Sequence, residues 1–260
     1  MNRASALWSS GNYPEIATRF EPIATDLLAA LGAELTGRHL LDLAAGTGNV
    51  ALAAATRGAI VTATDITPRM VQLGQARTVT AGLTVRWVLA DVGALPFAAA
   101  TVDFITSCFG VMFAADPPAA VAEMARVLRP GGQLALVIWC PDRPTDTLWE
   151  PLLGQRPRPP AATVDPSDWG RPHVLAGWLR PAFTDVAIAR WPFSWDFPTV
   201  TAALDYFLTA SPRHAAALAA LPPDERAGLR VELSTRLSVM SAGDVISLPS
   251  PYQLVTARRR

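Results

Sequence analysis

The chain has 260 residues, 50% of them hydrophobic, enough for one large domain or a domain carrying a sizeable insertion. Its formal net charge is zero, so no broad electrostatic pull toward nucleic acid or an anionic membrane is expected. All 22 of its cations are arginine, which a GC-rich coding sequence explains without a functional reading. The first twenty residues lack the apolar core of a signal peptide, and no apolar run is long enough to span a bilayer. Cys108 and Cys140 each follow an apolar run of buried-strand type. They suit a reducing cytoplasm, where the protein is expected, and a disulfide is neither needed nor excluded.

In chain order, "YPEIATRFEPIATDLLAAL" spaces Ile16, Phe20, Ile23, Leu27, Leu28 and Leu31 as a helix does, with Pro22 a kink or break. Residues 39–44 then read as a buried strand, 49–57 as a helix and 59–65 as a second strand. A helix over 67–82 follows, with Thr67 as N-cap and Pro68 in its first turn. Strands are predicted over 84–91 and 102–109, a helix over 117–128 stopped by Pro130, Gly131 and Gly132, and a fifth strand over 133–139. Short apolar strands alternating with helices imply a parallel sheet covered on both faces. Residues 140–172 carry eight prolines, which suggests an ordered loop with one short helix near Trp149. Beyond it, 173–183 reads as a helix and 184–197 as one strand whose Trp191, Phe193, Trp195 and Phe197 form an apolar stripe. Two or three helices are expected over 199–241, then a final strand, "SPYQLVTARRR", ending in a solvated basic tail.

The chemistry concentrates at "LDLAAGTGNVAL". Glycines after a first strand let the backbone approach a ligand, and the helix N-terminus offers free N–H groups. "GTGNVA" (46–51) formally satisfies a dinucleotide fingerprint, with Asp65 at about the right distance for a ribose, so the turn alone could bind NAD. Two acids argue for a different ligand. Asp42 lies within the strand end, where a pyrophosphate would gain nothing from a carboxylate but an amino-acid ammonium would. Asp91 ends the third strand, where it can accept from an adenine amino group. Acids on three successive strand ends suit a cationic amino acid, a ribose diol and an adenine, which together make S-adenosylmethionine (SAM).

Together with "VTATDITPRMV", "VLADVGALPFAAATVDFITSCFGVMF" and "AEMARVLRPGGQLALVIW", this turn resembles the class I SAM-dependent methyltransferases. The branch it is most similar to includes the ubiquinone/menaquinone C-methyltransferases. The resemblance spans roughly residues 10–140. It implies a Rossmann-like α/β fold: a seven-stranded, mostly parallel sheet with helices on both faces, an antiparallel last strand and a helical insertion before that strand. The domains it suggests are a helical N-terminal cap (1–38), a SAM-binding core (39–198 and 245–260) and an insertion (199–244) forming part of the substrate pocket. It also implies that Asp42, Ala44, Gly46 and Gly48 surround the methionine moiety, Ala44 replacing a frequent glycine. Asp65 would hold the ribose, Ile66 and Met70 would pack on adenine, and Asp91 with Val92 would address the adenine edge. Ser107 would lie beneath the cofactor, and Tyr13 would fold over its methionine end.

The reaction implied is methyl transfer to a small organic molecule by in-line displacement, driven mainly by proximity and alignment. A general base is needed only where the acceptor loses a proton, and candidates are few. His39 leads into strand one at the wrong end of the sheet, while His173 and His214 lie nearer the expected pocket. No His, Asp or Cys cluster has metal-ligand spacing. Phe109, Met112 and Phe113, the proline-rich segment, the N-terminal helix and the insertion are expected to line an apolar, enclosed substrate pocket. No Asn/Asp-Pro-Pro-Tyr motif follows strand four, which disfavours nucleic-acid methylation. The alternatives are an NAD-dependent oxidoreductase, for which no hydride-transfer constellation is recognisable, and a methyltransferase-like protein that binds SAM without catalysis.

Overall fold

The computed structural model describes residues 7–154, 165–242 and 245–260. Two compact units emerge, and the chain passes between them several times. The larger holds residues 17–141, 165–191 and 252–260, and the smaller holds 7–16, 142–154, 192–242 and 245–251.

The larger unit is built on seven strands. In chain order they are β1 (His39–Asp42), β2 (Ile60–Asp65), β3 (Val85–Leu89), β4 (Val102–Cys108), β5 (Leu128–Trp139), β6 (Phe183–Trp191) and β10 (Tyr252–Arg259). Their spatial order is β3-β2-β1-β4-β5-β10-β6. β10 runs antiparallel to both neighbours, and the remaining pairings between β1 and β5 are parallel. The central strands read as unbroken apolar runs because both faces are covered, as in "VDFITSC" of β4, six of whose seven residues are buried. The connecting helices supply the cover. α1 (Tyr13–Thr18) and α2 (Glu21–Ala29) open the chain, and α3 (Asn49–Thr56) packs on β1 and β2. α4 (Pro68–Thr80) packs on β2 and β3, while α5 (Pro117–Val127) lies against β5 and against α8 (Pro172–Leu179). The Rossmann-like expectation with an antiparallel last strand is therefore met.

The smaller unit contains α6 (Thr145–Leu148), α7 (Glu150–Leu153), α9 (Val200–Ala210), α10 (Pro212–Ala219) and α11 (Pro223–Val239). With them is an antiparallel sheet ordered β7 (Ser194–Phe197), β9 (Val245–Pro249), β8 (Ser241–Ala242). Its core is aromatic: Phe207 has Trp149, Trp195 and Phe197 within 4.8, 5.4 and 5.7 Å, centroid to centroid.

The break expected at Pro22 falls at Arg19–Phe20, and Pro22 lies in the first turn of α2. Three local expectations differ. The strand expected over 184–197 is two strands in two sheets, parted at Pro192, which has no N–H to donate. The stripe therefore does not exist: Trp191 is exposed at the end of β6, whereas Trp195 and Phe197 are buried in the smaller unit. β5 starts at Leu128, before the Pro-Gly-Gly turn expected to precede it, and absorbs that turn as a register shift between Val102 and Phe104. Gly131 takes φ +75° there, and a Cβ on Gly132 would lie 3.0 Å from the Asp103 carbonyl oxygen. Finally, the basic tail is tied down. Arg259 donates to the Ala125 and Ala182 carbonyls, and Arg260 to that of Arg180. Pro157, Pro159 and Pro160, and the boundary expected at residue 244, lie outside the described residues.

Candidate active site at the carboxyl ends of the strands

Strand order reverses between β1 and β4, and a crevice at that point is where open α/β sheets bind ligands. The loop from β1 into α3 turns there on three left-handed residues, Ala44 (φ +48°), Gly46 (+56°) and Gly48 (+90°). For Ala44 this conformation costs about 1–2 kcal/mol, which explains why glycine is the easier residue at that point. Neighbouring loops hold the strained turn in place. Gly110, after β4, comes so close that a Cβ on it would lie 2.5 Å from that of Ala44. The indole of Trp87, on β3, covers Gly48, where an added Cβ would meet it at 2.8 Å. Gly48 thus owes its identity to φ and to Trp87. From α4, Arg77 donates through Nη1 to the carbonyl and hydroxyl of Thr47, each at 3.1 Å, and to Asn49 Oδ1 at 2.7 Å. Its Nη2 meets Glu21 of α2 at 3.1 Å. This clamp on the turn carries no motif and was not foreseen.

Asp42, the last residue of β1, is 1% exposed. Its Oδ1 accepts from the Thr106 hydroxyl at 3.0 Å, and its Oδ2 has no hydrogen-bond partner. Burial pushes its pKa up to about 7, against the opposing pull of the Thr106 hydroxyl and the Ala51 N–H. With one oxygen unmet, this buried carboxylate can still take a cationic or hydrogen-donating partner at Oδ2.

Asp65, at the end of β2, accepts from Gly46 N–H through Oδ2 (2.9 Å) and from Thr67 N–H through Oδ1 (2.8 Å). Burial raises its pKa and these N–H groups oppose the rise. Each oxygen keeps a lone pair for a further donor. Removing the carboxylate would also release the turn, so loss of a ligand on substitution needs a stability control. Ile66 beside it is half-buried and Met70 in α4 is buried.

Asp91 lies two residues beyond β3, exposed, with Oδ1 accepting from Gly93 N–H at 2.9 Å. The Ala90 N–H to Asp65 carbonyl bond (3.0 Å) ties this turn to the end of β2. Val92 is buried in the core with Leu95, which leaves its backbone rather than its side chain to face a ligand. Ser107 is fully committed within the chain: it donates to the Leu43 carbonyl at 2.8 Å and accepts from Val111 N–H at 3.0 Å, stitching β1 to the loop after β4. Tyr13 belongs to the smaller unit, where its ring meets Trp8 edge-on at 5.9 Å.

Further along the same sheet edge lies a row of aromatic rings. Tyr252, at the start of β10, pairs in register with Trp139 at the end of β5 and Trp191 at the end of β6. Phe109, after β4, stacks on Trp139 at 3.9 Å, and Phe20 lies 4.7 Å from Phe109. Phe109 has φ +60°, a real outlier for a bulky residue. Phe109, Trp191 and the helix carrying Phe20 were expected near the pocket; Trp139 and Tyr252 were not, and they converge from strands far apart in sequence. Met112 is buried and Phe113 partly buried, both against the core.

The histidines contribute little here. The His39 N–H donates to Asp103 at the opposite sheet edge, and His173 is exposed in α8. His214 sits in the aromatic core of the smaller unit, 2.6 Å from the Ser211 hydroxyl and 4.5 Å from the Trp149 ring. Among the described residues no group of His, Cys, Asp and Glu could hold a metal ion. No helix among them is long and apolar enough to cross a membrane.

Comparison with known proteins agrees with this geometry. The sequence matches the family model of a methyltransferase domain over residues 41–136. It is 37% identical over 204 residues to the uncharacterized protein Rv1405c of Mycobacterium tuberculosis, covering 78% of this chain and 74% of that protein. A demethylmenaquinone methyltransferase of Thermus thermophilus is 35% identical over 144 residues, 50% of this chain and 64% of that enzyme. In fold, the chain is similar to YcgJ of Bacillus subtilis, with a TM-score of 0.60 at 20% identity over 91% of this chain and 97% of that one. The chain therefore carries a methyltransferase domain over residues 41–136 on a Rossmann-like fold, and it belongs to one family with the mycobacterial protein Rv1405c.

Proposed function

We propose that the protein transfers a methyl group from SAM to a small organic molecule, and that the unmet Oδ2 of buried Asp42 is the observation that carries this reading. An α-ammonium donating to that oxygen would satisfy the carboxylate and favour its charged form. A pyrophosphate would add negative charge where one oxygen of a buried acid already lacks a partner. On this reading Ala44, Gly46 and Gly48 surround the methionine moiety. Asp65 takes the ribose hydroxyls on its spare lone pairs, and Ile66 and Met70 pack on the adenine. Asp91 and the Val92 backbone take the adenine edge, with Ser107 holding the floor of the site. When bound, SAM supplies the activated methyl group. The chain's residues bind it, orient it and keep water away. Similarity to the demethylmenaquinone methyltransferase makes quinone-type acceptors the first to test.

The test is calorimetric titration with SAM, S-adenosylhomocysteine and NAD(H). Micromolar binding of both adenosyl ligands and none of NAD(H) is expected. Binding of NAD(H) alone would overturn the reading and turn the search to hydride transfer. Binding of SAM with no turnover across an acceptor screen would point to a non-catalytic SAM-binding protein.

A further inference from the structure

The aromatic row at the carboxyl ends of β4, β5 and β6 and the start of β10 contains one hydroxyl. Tyr252 is 2% exposed, and its ring lies 6.0 Å from Phe109 and 6.4 Å from Trp191. No hydrogen bond joins its hydroxyl to a described residue, and its oxygen is not among the fully buried polar atoms, so a water or a ligand can reach it. Its titratable neighbours are Asp26 of α2 and Cys108 at the end of β4, whose thiol is kept neutral by burial and by the charge of Asp42. Along the edge Asp42 ends β1, Cys108 ends the adjacent β4, and Tyr252 starts β10 one strand further on, beyond β5. The edge leads from the carboxylate assigned to the cofactor to a phenol set among flat rings. Phe109 is held in its left-handed conformation beside them, and such strain gathers where geometry serves a ligand.

We propose that this row is the acceptor subsite and that the Tyr252 hydroxyl is its specificity-determining contact, selecting a flat ring that bears a hydroxyl or amine. The inference rests on the methyl-transfer reading for the identity of the donor, but not for the existence of the subsite. Trp191, 39% exposed and nearly parallel to the Tyr252 ring, offers the face against which a ring can stack, and the stacked pair Phe109–Trp139 backs the row. Burial, with the charge of Asp26, pushes the Tyr252 pKa up to about 12, so the hydroxyl stays neutral and available as donor or acceptor. A purely apolar ring would leave that hydroxyl unmet, and sites built to hydrogen-bond a polar group reject analogues lacking it.

Phenol and toluene, nearly isosteric, separate ring stacking from the hydrogen bond. Their affinities are measured by saturation-transfer NMR and tryptophan quenching, on protein with and without saturating S-adenosylhomocysteine. Wild type is expected to bind phenol at least about 5-fold more tightly than toluene, the scale of one hydrogen bond. Tyr252→Phe, which removes no bond within the chain, should bring the ratio to about one without moving thermal stability or S-adenosylhomocysteine affinity. Trp191→Ala, at the exposed rim, should weaken both probes and leave the ratio intact. Equal binding of the two probes by wild type would overturn the proposal, as would a preference that survives in Tyr252→Phe. Should S-adenosylhomocysteine fail to bind, the donor assignment falls, and the ratio measured without it still decides the role of Tyr252.

Discussion

At the scale of single residues, Asp42 concentrates the physics of the site. Its carboxyl binds protons more tightly in the folded chain than in the unfolded one, because burial disfavours the charge. Its contribution to stability is therefore fully present below the ordinary carboxyl pKa and is lost as the pH rises through about 7. The loss amounts to at most about 4 kcal/mol. Asp42→Asn should remove this dependence, making the ligand-free protein more stable than wild type by about 1–3 kcal/mol at pH 8 while abolishing SAM binding. Denaturant melts across the pH range, paired with titrations, check both halves. The same linkage predicts that SAM binding at pH 6 releases close to one proton and weakens as the pH falls below 7. Calorimetry in buffers of different ionisation enthalpy counts that proton, and no release would mean that Asp42 does not meet the ammonium.

At the scale of elements, the glycine turn depends on contacts from strands and helices it does not adjoin in sequence. Trp87 of β3 lies across Gly48 and across Gly74 of α4, with its Nε1 donating to the Thr78 hydroxyl at 3.0 Å. A Cβ on Gly74 would come within 2.1 Å of the ring. Alanine is the better helix former by about 1 kcal/mol. Gly74→Ala should nonetheless destabilise the protein by about 1–3 kcal/mol, since forcing atoms into a packed contact costs more than propensity returns. In a Trp87→Leu background the same change should be neutral or stabilising. A double-mutant cycle on thermal melts measures the coupling, and additive effects would show that Trp87 does not hold the turn.

For the whole molecule, the two units have separate cores, and the chain leaves β6 and re-enters β10 at Trp191 and Tyr252, which are partners in the ladder. A two-residue Asn-Gly turn is the connection such a pair accepts. Replacing residues 192–251 by Asn-Gly should leave a chain that unfolds cooperatively and keeps the near-ultraviolet signal of its remaining tryptophans. A non-cooperative melt would show that the larger unit does not stand alone.

The alternation of apolar strands with helices, and the acids at the ends of β1 and β2, were legible in the sequence, whereas Asp91, expected to end β3, lies in the turn two residues beyond it. Period, burial on both faces and the cost of a buried charge act over a few residues and leave their mark locally. Tertiary structure alone decided which groups meet. Thr106 reaches Asp42 because β1 and β4 pair across 64 positions of chain. Tyr252 joins Trp139 and Trp191 because an antiparallel last strand inserts between β5 and β6. Pro192 parts an apparently continuous stripe of aromatics into two cores, since alternation in sequence states only that side chains share a face and not which sheet they belong to. The local code sets the faces of each element, and long-range packing and hydrogen-bond satisfaction select which faces are brought together.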